Sequence, residues 1–137
     1  MRGAMIVGGL LVMSVLGPLG TALAEPIESL QGAWTLVGTD CADAFEFSAG
    51  KPKFKDRGSS LNTGIIISGE EIAGPSSTCK ASRISESQGQ YTVHLSCDDA
   101  IMFSSVTVTL KMVDPQHFDR IDPDFSEDNY QKCLPGQ

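Results

Sequence analysis

Four groups of residues have the types and spacing to do chemistry. Cys41, Cys79, Cys97 and Cys133 can form disulfides or hold a metal, and His94 and His117 can move protons. Asp122-x-Asp124-x-Ser126 resembles the opening of a calcium loop, and Lys51, Lys53, Lys55 and Arg57 alternate along one short run. Neither histidine has a cysteine or carboxylate at metal-ligand spacing, so both read as surface residues. The calcium pattern fails where its geometry is strict. Glu127 stands at the sixth position, which needs glycine, and Cys133 at the twelfth, which needs a bidentate glutamate. No Gly-x-Ser-x-Gly elbow singles out a serine nucleophile. The sequence therefore gives no catalytic residue, no metal site and no cofactor. In a strand, the four alternating basic residues all point the same way. Such a ridge could contact an anion or an acidic partner, but together with Pro52 it is also how an exposed strand avoids pairing with another chain.

The elements that must position these residues are strands. No stretch keeps the apolar spacing of a helix over ten or more residues. Leu30 to Cys41 opens the domain with the chain's one tryptophan, Trp34, followed by a Gly38-Thr39-Asp40 turn that presents Cys41. Short extended runs follow: Ala44 to Ser48, Lys51 to Arg57, Gly64 to Ser68, Glu71 to Ala73, Thr78 to Ser85, Gln90 to Cys97, Ile101 to Val113 and His117 to Ile121. Turn residues at regular intervals and about 7–9 short strands predict an all-β fold, a small antiparallel barrel or sandwich stapled by disulfides. In the longest run, Val106, Val108, Leu110 and Met112 share one face and Thr107, Thr109 and Lys111 the other. Ile101, Met102 and Phe103 do not fit that register, which predicts a bulge or turn near Ser104-Ser105. Residues 122–137 form an acidic C-terminal segment: from Asp122 to Asn129 the chain reads as irregular, and it then returns through Tyr130 to Cys133 and a free end.

Hairpin symmetry pairs the cysteines. A turn at Ser87-Gln88-Gly89 centres two strands on position 88, which sets Cys79 opposite Cys97 and Ala81 opposite Leu95. It also sets Arg83 opposite Val93 and Ser85 opposite Tyr91, and leaves Ile84 on the polar face. Directly opposed residues of an antiparallel pair have Cα atoms about 4.5 or 5.5 Å apart, within reach of a disulfide. Cys41 then joins Cys133 by elimination. Arg83, on the apolar face in this register, is expected at a barrel end beside a carboxylate.

Met1-Arg2, the apolar run from Met5 to Leu16 and Ala22-Leu23-Ala24 have the form of a secretory signal peptide over residues 1–24. Gly17-Pro18 ends the run well short of the ~20 residues needed to span a bilayer. Cleavage removes Arg2 and no acid, so the formal charge of −7 becomes −8. That excludes nucleic acid as a natural partner. Residues 25–137 then form a single β domain, periplasmic or secreted, with no membrane span and expected to be a monomer.

Leu30-x-Gly32-x-Trp34, Cys41, the Cys79 to Cys97 hairpin and Tyr130-Gln131-Lys132-Cys133 resemble small secreted bacterial proteins of unknown function built as compact barrels with two disulfides. The Gly-x-Trp opening is also distantly similar to calycin-type barrels, the lipocalins and the short metalloprotease inhibitors. The two bridges depart from the single bridge of those inhibitors, and no inhibitory residue carries over. The expected function is that of a non-catalytic exported binding protein, either an inhibitor or a partner of an envelope or secreted protein. The alternative is a small-ligand carrier of lipocalin type, which requires an internal cavity of a few hundred Å³.

Overall fold

The structure, a computed structural model, describes residues 27–56 and 61–137; the expected signal peptide and Arg57 lie outside them. A 3-10 turn, Glu28–Leu30, leads into β1 (Gly32–Leu36), the single helical turn α1 (Cys41–Ala44), β2 (Phe45–Ser48) and β3 (Lys51–Phe54). Then come β4 (Ile65–Ser68), β5 (Glu71–Ala73), β6 (Ser77–Ser87), β7 (Gln90–Asp99), β8 (Phe103–Asp114), β9 (His117–Ile121) and β10 (Glu127–Cys133). Eight strands close an antiparallel barrel in the order β1-β10-β9-β8-β7-β6-β5-β4, and β2 with β3 makes a separate ribbon. Of the two architectures expected, the barrel forms. No described helix is long and apolar enough to cross a membrane.

Alternation decides which side chains fill the barrel. Trp34, Val93, Val108, Leu110, Phe118 and Tyr130 are buried together, with Leu30 of the 3-10 turn among them. Val106 and Met112 pack against this core, so the face read along β8 is the inner one. Trp34 meets Phe118 edge-on at 4.8 Å, and Phe118 stacks on Tyr130 at 4.9 Å. The indole Nε1–H donates to the Leu30 carbonyl at 2.8 Å, which ties the 3-10 turn to the core.

Part of the outer face is covered as well. Cys133, Ala33, Ile66 and Ala73 lie in one register row across β10, β1, β4 and β5, and they form a second cluster with Ala44, Phe45 and Phe54. The ribbon therefore lies on the outside of the barrel, with the Phe45 and Phe54 rings 5.5 Å apart. This explains why Ile65, Ile66 and Ile67 are all apolar: Ile65 and Ile67 face the inner core and Ile66 the outer one. Gly64 makes room for the ribbon, because a Cβ there would stand 2.6 Å from Phe45 Cζ.

Both disulfides pair as expected, Cys41–Cys133 with Cα atoms 5.6 Å apart and Cys79–Cys97 at 3.9 Å. The hairpin around the second departs from expectation above Ser82. Its turn has two residues, Gln88 and Gly89, with φ of 53° and 75°, the left-handed pair that a tight hairpin turn needs. The resulting offset is absorbed by a bulge at Arg83-Ile84, where Arg83 has φ 47° and Ser85 faces Thr92 instead of Tyr91. The bulge exchanges the two side chains: Ile84 packs on the core and Arg83 is exposed, with no carboxylate partner among the described residues. The irregular stretch expected from Asp122 to Asn129 is shorter, since Glu127–Cys133 is strand β10, paired with β1 and β9, and the irregular residues before it are 122–126.

Removing the Cys79–Cys97 bridge is the milder of the two disulfide losses. It closes a separation of 18 residues, worth about 3 kcal/mol in the chain-entropy model, and the ladder on both sides of it already limits that loop. We expect the Cys79→Ser, Cys97→Ser double variant to lose less stability than Cys133→Ser in matched urea titrations; an equal or larger loss would contradict the register.

Candidate functional site

The barrel's stagger leaves one strand half unpaired. β8 pairs with β7 from Phe103 to Lys111 but with β9 only from Thr109 onward, so Phe103–Val108 overhangs β9. The cause is local. Thr107 would next face Pro123, which has no N–H and a fixed φ, and the chain turns there instead, with Asp122 N–H donating to the Ser126 carbonyl at 2.9 Å.

At the end of the overhang, the β7–β8 turn presents Ile101, Met102 and Phe103, which are 90, 61 and 90 % exposed. The bulge or turn expected near Ser104-Ser105 falls here instead: Ser104 and Ser105 continue β8 in register with Cys97 and Ser96. Asp99 holds the turn. Its carboxylate accepts the Ile101 and Met102 N–H groups at 2.8 Å each, and its own N–H reaches the Met102 carbonyl at 3.1 Å. The Ile101 and Met102 amides hold the Asp99 carboxyl below its usual range. Because the folded value is depressed, the turn's support is complete above the ordinary aspartate range and is lost as pH falls below it. An acid titration followed by NMR should therefore show the Ile101 and Met102 amides moving together below that range. A midpoint in the ordinary range would break the link. The Cys79–Cys97 bridge crosses the sheet just below this turn.

The barrel mouth on the overhang side is closed by a group the sequence reading missed. Arg120 shares the inner face of β9 with buried Phe118 and stands opposite Leu110 and Asp128. Its guanidinium donates to Asp122 and Asp128 at 3.0 Å each and to the Tyr130 hydroxyl at 3.3 Å. Burial opposes the Arg120 charge, but Tyr130, Asp122 and Asp128 outweigh it and raise the pKa. Burial likewise raises the Tyr130 phenol. The alternation His117-Phe118-Asp119-Arg120 carried the signal, since Phe118 and Arg120 must share a face. In the adjoining loop, Phe125 is 88 % exposed with φ 64°.

The sequence-derived candidates do not converge. Lys51 and Lys53 are exposed on β3, with Lys53 in register with Glu46, and Lys55 Nζ donates to the Ala42 carbonyl at 3.0 Å. His94 meets Thr107, whereas His117 Nδ1 lies 2.9 Å from both Asp114 carboxylate oxygens, a partner overlooked in the sequence. That contact first, and then the Gln116 N–H, lower the Asp114 pKa. Asp122 is occupied by Arg120, and Asp124 accepts the Ser126 hydroxyl at 2.6 Å and its N–H at 3.0 Å. Among the described residues, no group of three or more His, Cys, Asp or Glu stands close enough to hold a metal ion. The apolar space at the barrel's other mouth, lined by Ile27, Leu30, Ile72, Ile84 and Leu110 among others, amounts to about 10 Å³.

No protein family, curated protein or solved structure matches this chain. The small closed antiparallel barrel with two disulfides is the part of the resemblance that the structure shows. Two disulfides are consistent with an oxidising, extracytoplasmic location. Among the described residues, the β7–β8 turn holds three consecutive large apolar side chains out in water on a capped backbone, which packing within the barrel does not explain.

Proposed function

We propose that this chain is a non-catalytic exported binding protein, periplasmic or secreted, that contacts a partner protein through the β7–β8 turn. The observation that carries this is the exposure of Ile101, Met102 and Phe103 on a turn fixed by Asp99 and braced from below by a disulfide. Ordered apolar side chains give affinity at low entropic cost, because little conformational freedom remains to be lost on docking. A membrane is a poorer counterpart than a protein: Asp98 and Asp99 stand at the start of the turn, and anionic headgroups repel them. A hydrolase held inactive is the narrower form of the same proposal, and it adds loss of that enzyme's activity on binding. A small-ligand carrier finds no support in a barrel filled by Trp34, Phe118, Val93 and Leu30.

The test compares the natural chain with the variant Ile101→Ser, Met102→Ser, Phe103→Ser as bait for extracytoplasmic proteins. The side chains are exposed, so the variant keeps its unfolding midpoint. It should lose at least about 100-fold in affinity for a protein that the natural chain retains, as expected when a hot spot is truncated. Equal retention of every captured protein by both baits overturns the proposal.

A further inference from the structure

The overhang has a second property besides its apolar tip. The Asp99 N–H donates to the Met102 carbonyl and the Met112 N–H to the Gly89 carbonyl, the two bonds that bracket the β7–β8 ladder at its ends. In an antiparallel ladder successive residues alternate direction, so even-numbered residues of β8 bond to β7 and odd-numbered ones face the other side. Thr109 and Lys111 meet β9 there, while Phe103, Ser105 and Thr107 turn their backbone N–H and C=O groups to open solvent.

Other free strand edges in the described chain are protected. β3 carries Lys51, Pro52 and Lys53, and β2 is only four residues long with Glu46. The second half of β6, beyond its ladder with β5, carries the bulge at Arg83 together with Glu86. Charge, proline, bulges and shortness are the usual means of keeping an edge from pairing. Phe103–Val108 has none of them: its sequence is Phe-Ser-Ser-Val-Thr-Val, uncharged and well suited to a strand.

We infer that the free edge of β8 at Phe103, Ser105 and Thr107 receives an extended, basic segment of the partner protein as an added strand. This deepens the proposed function and rests on it. Strand addition supplies affinity through the main chain, and the neighbouring side chains select the segment. Selection here is by charge. Asp98 and Asp99 stand at one end of the edge, and Asp122, Asp124 and Glu127 lie around the loop at the other. Arg120 is engaged by Asp122 and Asp128, and Lys80 lies two strands across from Ser105, in register with Glu71. A second copy of this chain fits worse, because antiparallel pairing centred on Ser105 would bring Asp99 of one copy toward Asp122 and Asp124 of the other.

The probe is a capped nine-residue peptide of alternating threonine and valine with a lysine at each end, added to the full chain; a control carries glutamate at both ends. Hydrogen exchange at the Phe103, Ser105 and Thr107 amides should slow by at least about tenfold with the lysine peptide. The glutamate peptide should need at least about tenfold more for the same effect. Ser105→Pro removes an N–H that has no partner among the described residues, so it should leave the unfolding midpoint unchanged and abolish the protection at Phe103 and Thr107. Ser105→Lys, which leaves the backbone intact, should do the same. Unchanged amides at millimolar peptide overturn the inference, as does equal response to the two peptides. Protection that rises with the chain's own concentration identifies a second copy as the occupant and also overturns it. If the edge stays silent while the Ile101, Met102 and Phe103 serine variant still loses its protein, strand addition falls and binding through the turn stands. If that variant keeps every protein, the proposed function itself falls.

Discussion

Replacing Cys133 by Ser lowers the unfolding free energy by about 2–5 kcal/mol, the range for a native bridge lost from a small secreted domain. Cys41–Cys133 closes a separation of 92 residues, for which the chain-entropy model gives about 4.6 kcal/mol. The bridge is also packed: Cys133 is buried in the outer cluster with Ala33, Ala44, Phe45 and Phe54. The sequence suggests that this loss would free the acidic segment from Asp122 onward. The structure redirects that expectation. β10 is held by ladders on both sides and keeps its place, while α1 and the ribbon lose their covalent tie to the barrel. Urea titration measures the first effect, and limited proteolysis locates the second. The earliest cuts should fall between Asp40 and Phe54; first cuts between Asp122 and Cys133 would show that β10 depends on the bridge.

Trp34→Ala should cost at least as much, about 3–5 kcal/mol for truncating a large buried aromatic side chain. Trp34 is fully buried, and its indole both packs on Phe118 and satisfies the Leu30 carbonyl. A buried carbonyl left without its donor adds about 1–3 kcal/mol. Trp34→Phe keeps much of the packing but not the donor, so the difference between the two variants separates cavity from hydrogen bond. Far-UV circular dichroism must follow the unfolding, since the substitution removes the fluorophore. A loss below about 1 kcal/mol for the alanine variant would mean that the barrel does not depend on this plug.

Much of the fold was legible because period-two patterns carry it. The Val106 to Met112 face follows from alternation, the Cys79–Cys97 pairing from hairpin symmetry and the Cys41–Cys133 closure by elimination from it, and each is found. What escaped depends on single backbone angles or on layers. The two-residue turn requires left-handed values at both Gln88 and Gly89, and a three-residue turn was equally compatible with those residue types. That one-residue choice moved Arg83 out and Ile84 in. Phe45 and Phe54 show alternation but not what they cover; only the unbroken Ile65-Ile66-Ile67 run hinted that an outer face needed covering. As for the candidate site, the misfit of Ile101 to Phe103 was visible in the sequence. Their exposure and the free edge behind them depend on how far β9 runs before Pro123, which spacing alone does not fix.

The seam of the barrel has a consequence for how the chain is born. β10 lies between β1 and β9, so the first strand of the barrel waits for the last, and the wall cannot close until Tyr130 to Cys133 has emerged. A chain that emerges N-terminus first, from a ribosome or across a membrane, therefore stays open and threadable for nearly its whole length, and its decisive contacts are those most distant in sequence. Cys41 spends that interval as an unpaired thiol with Cys79 and Cys97 arriving before Cys133. Any oxidant acting early meets a wrong partner first. Correct assembly thus depends on the Gln88-Gly89 hairpin bringing Cys79 and Cys97 together quickly, on the microsecond scale of hairpin closure, so that the thiol left for Cys133 is the right one.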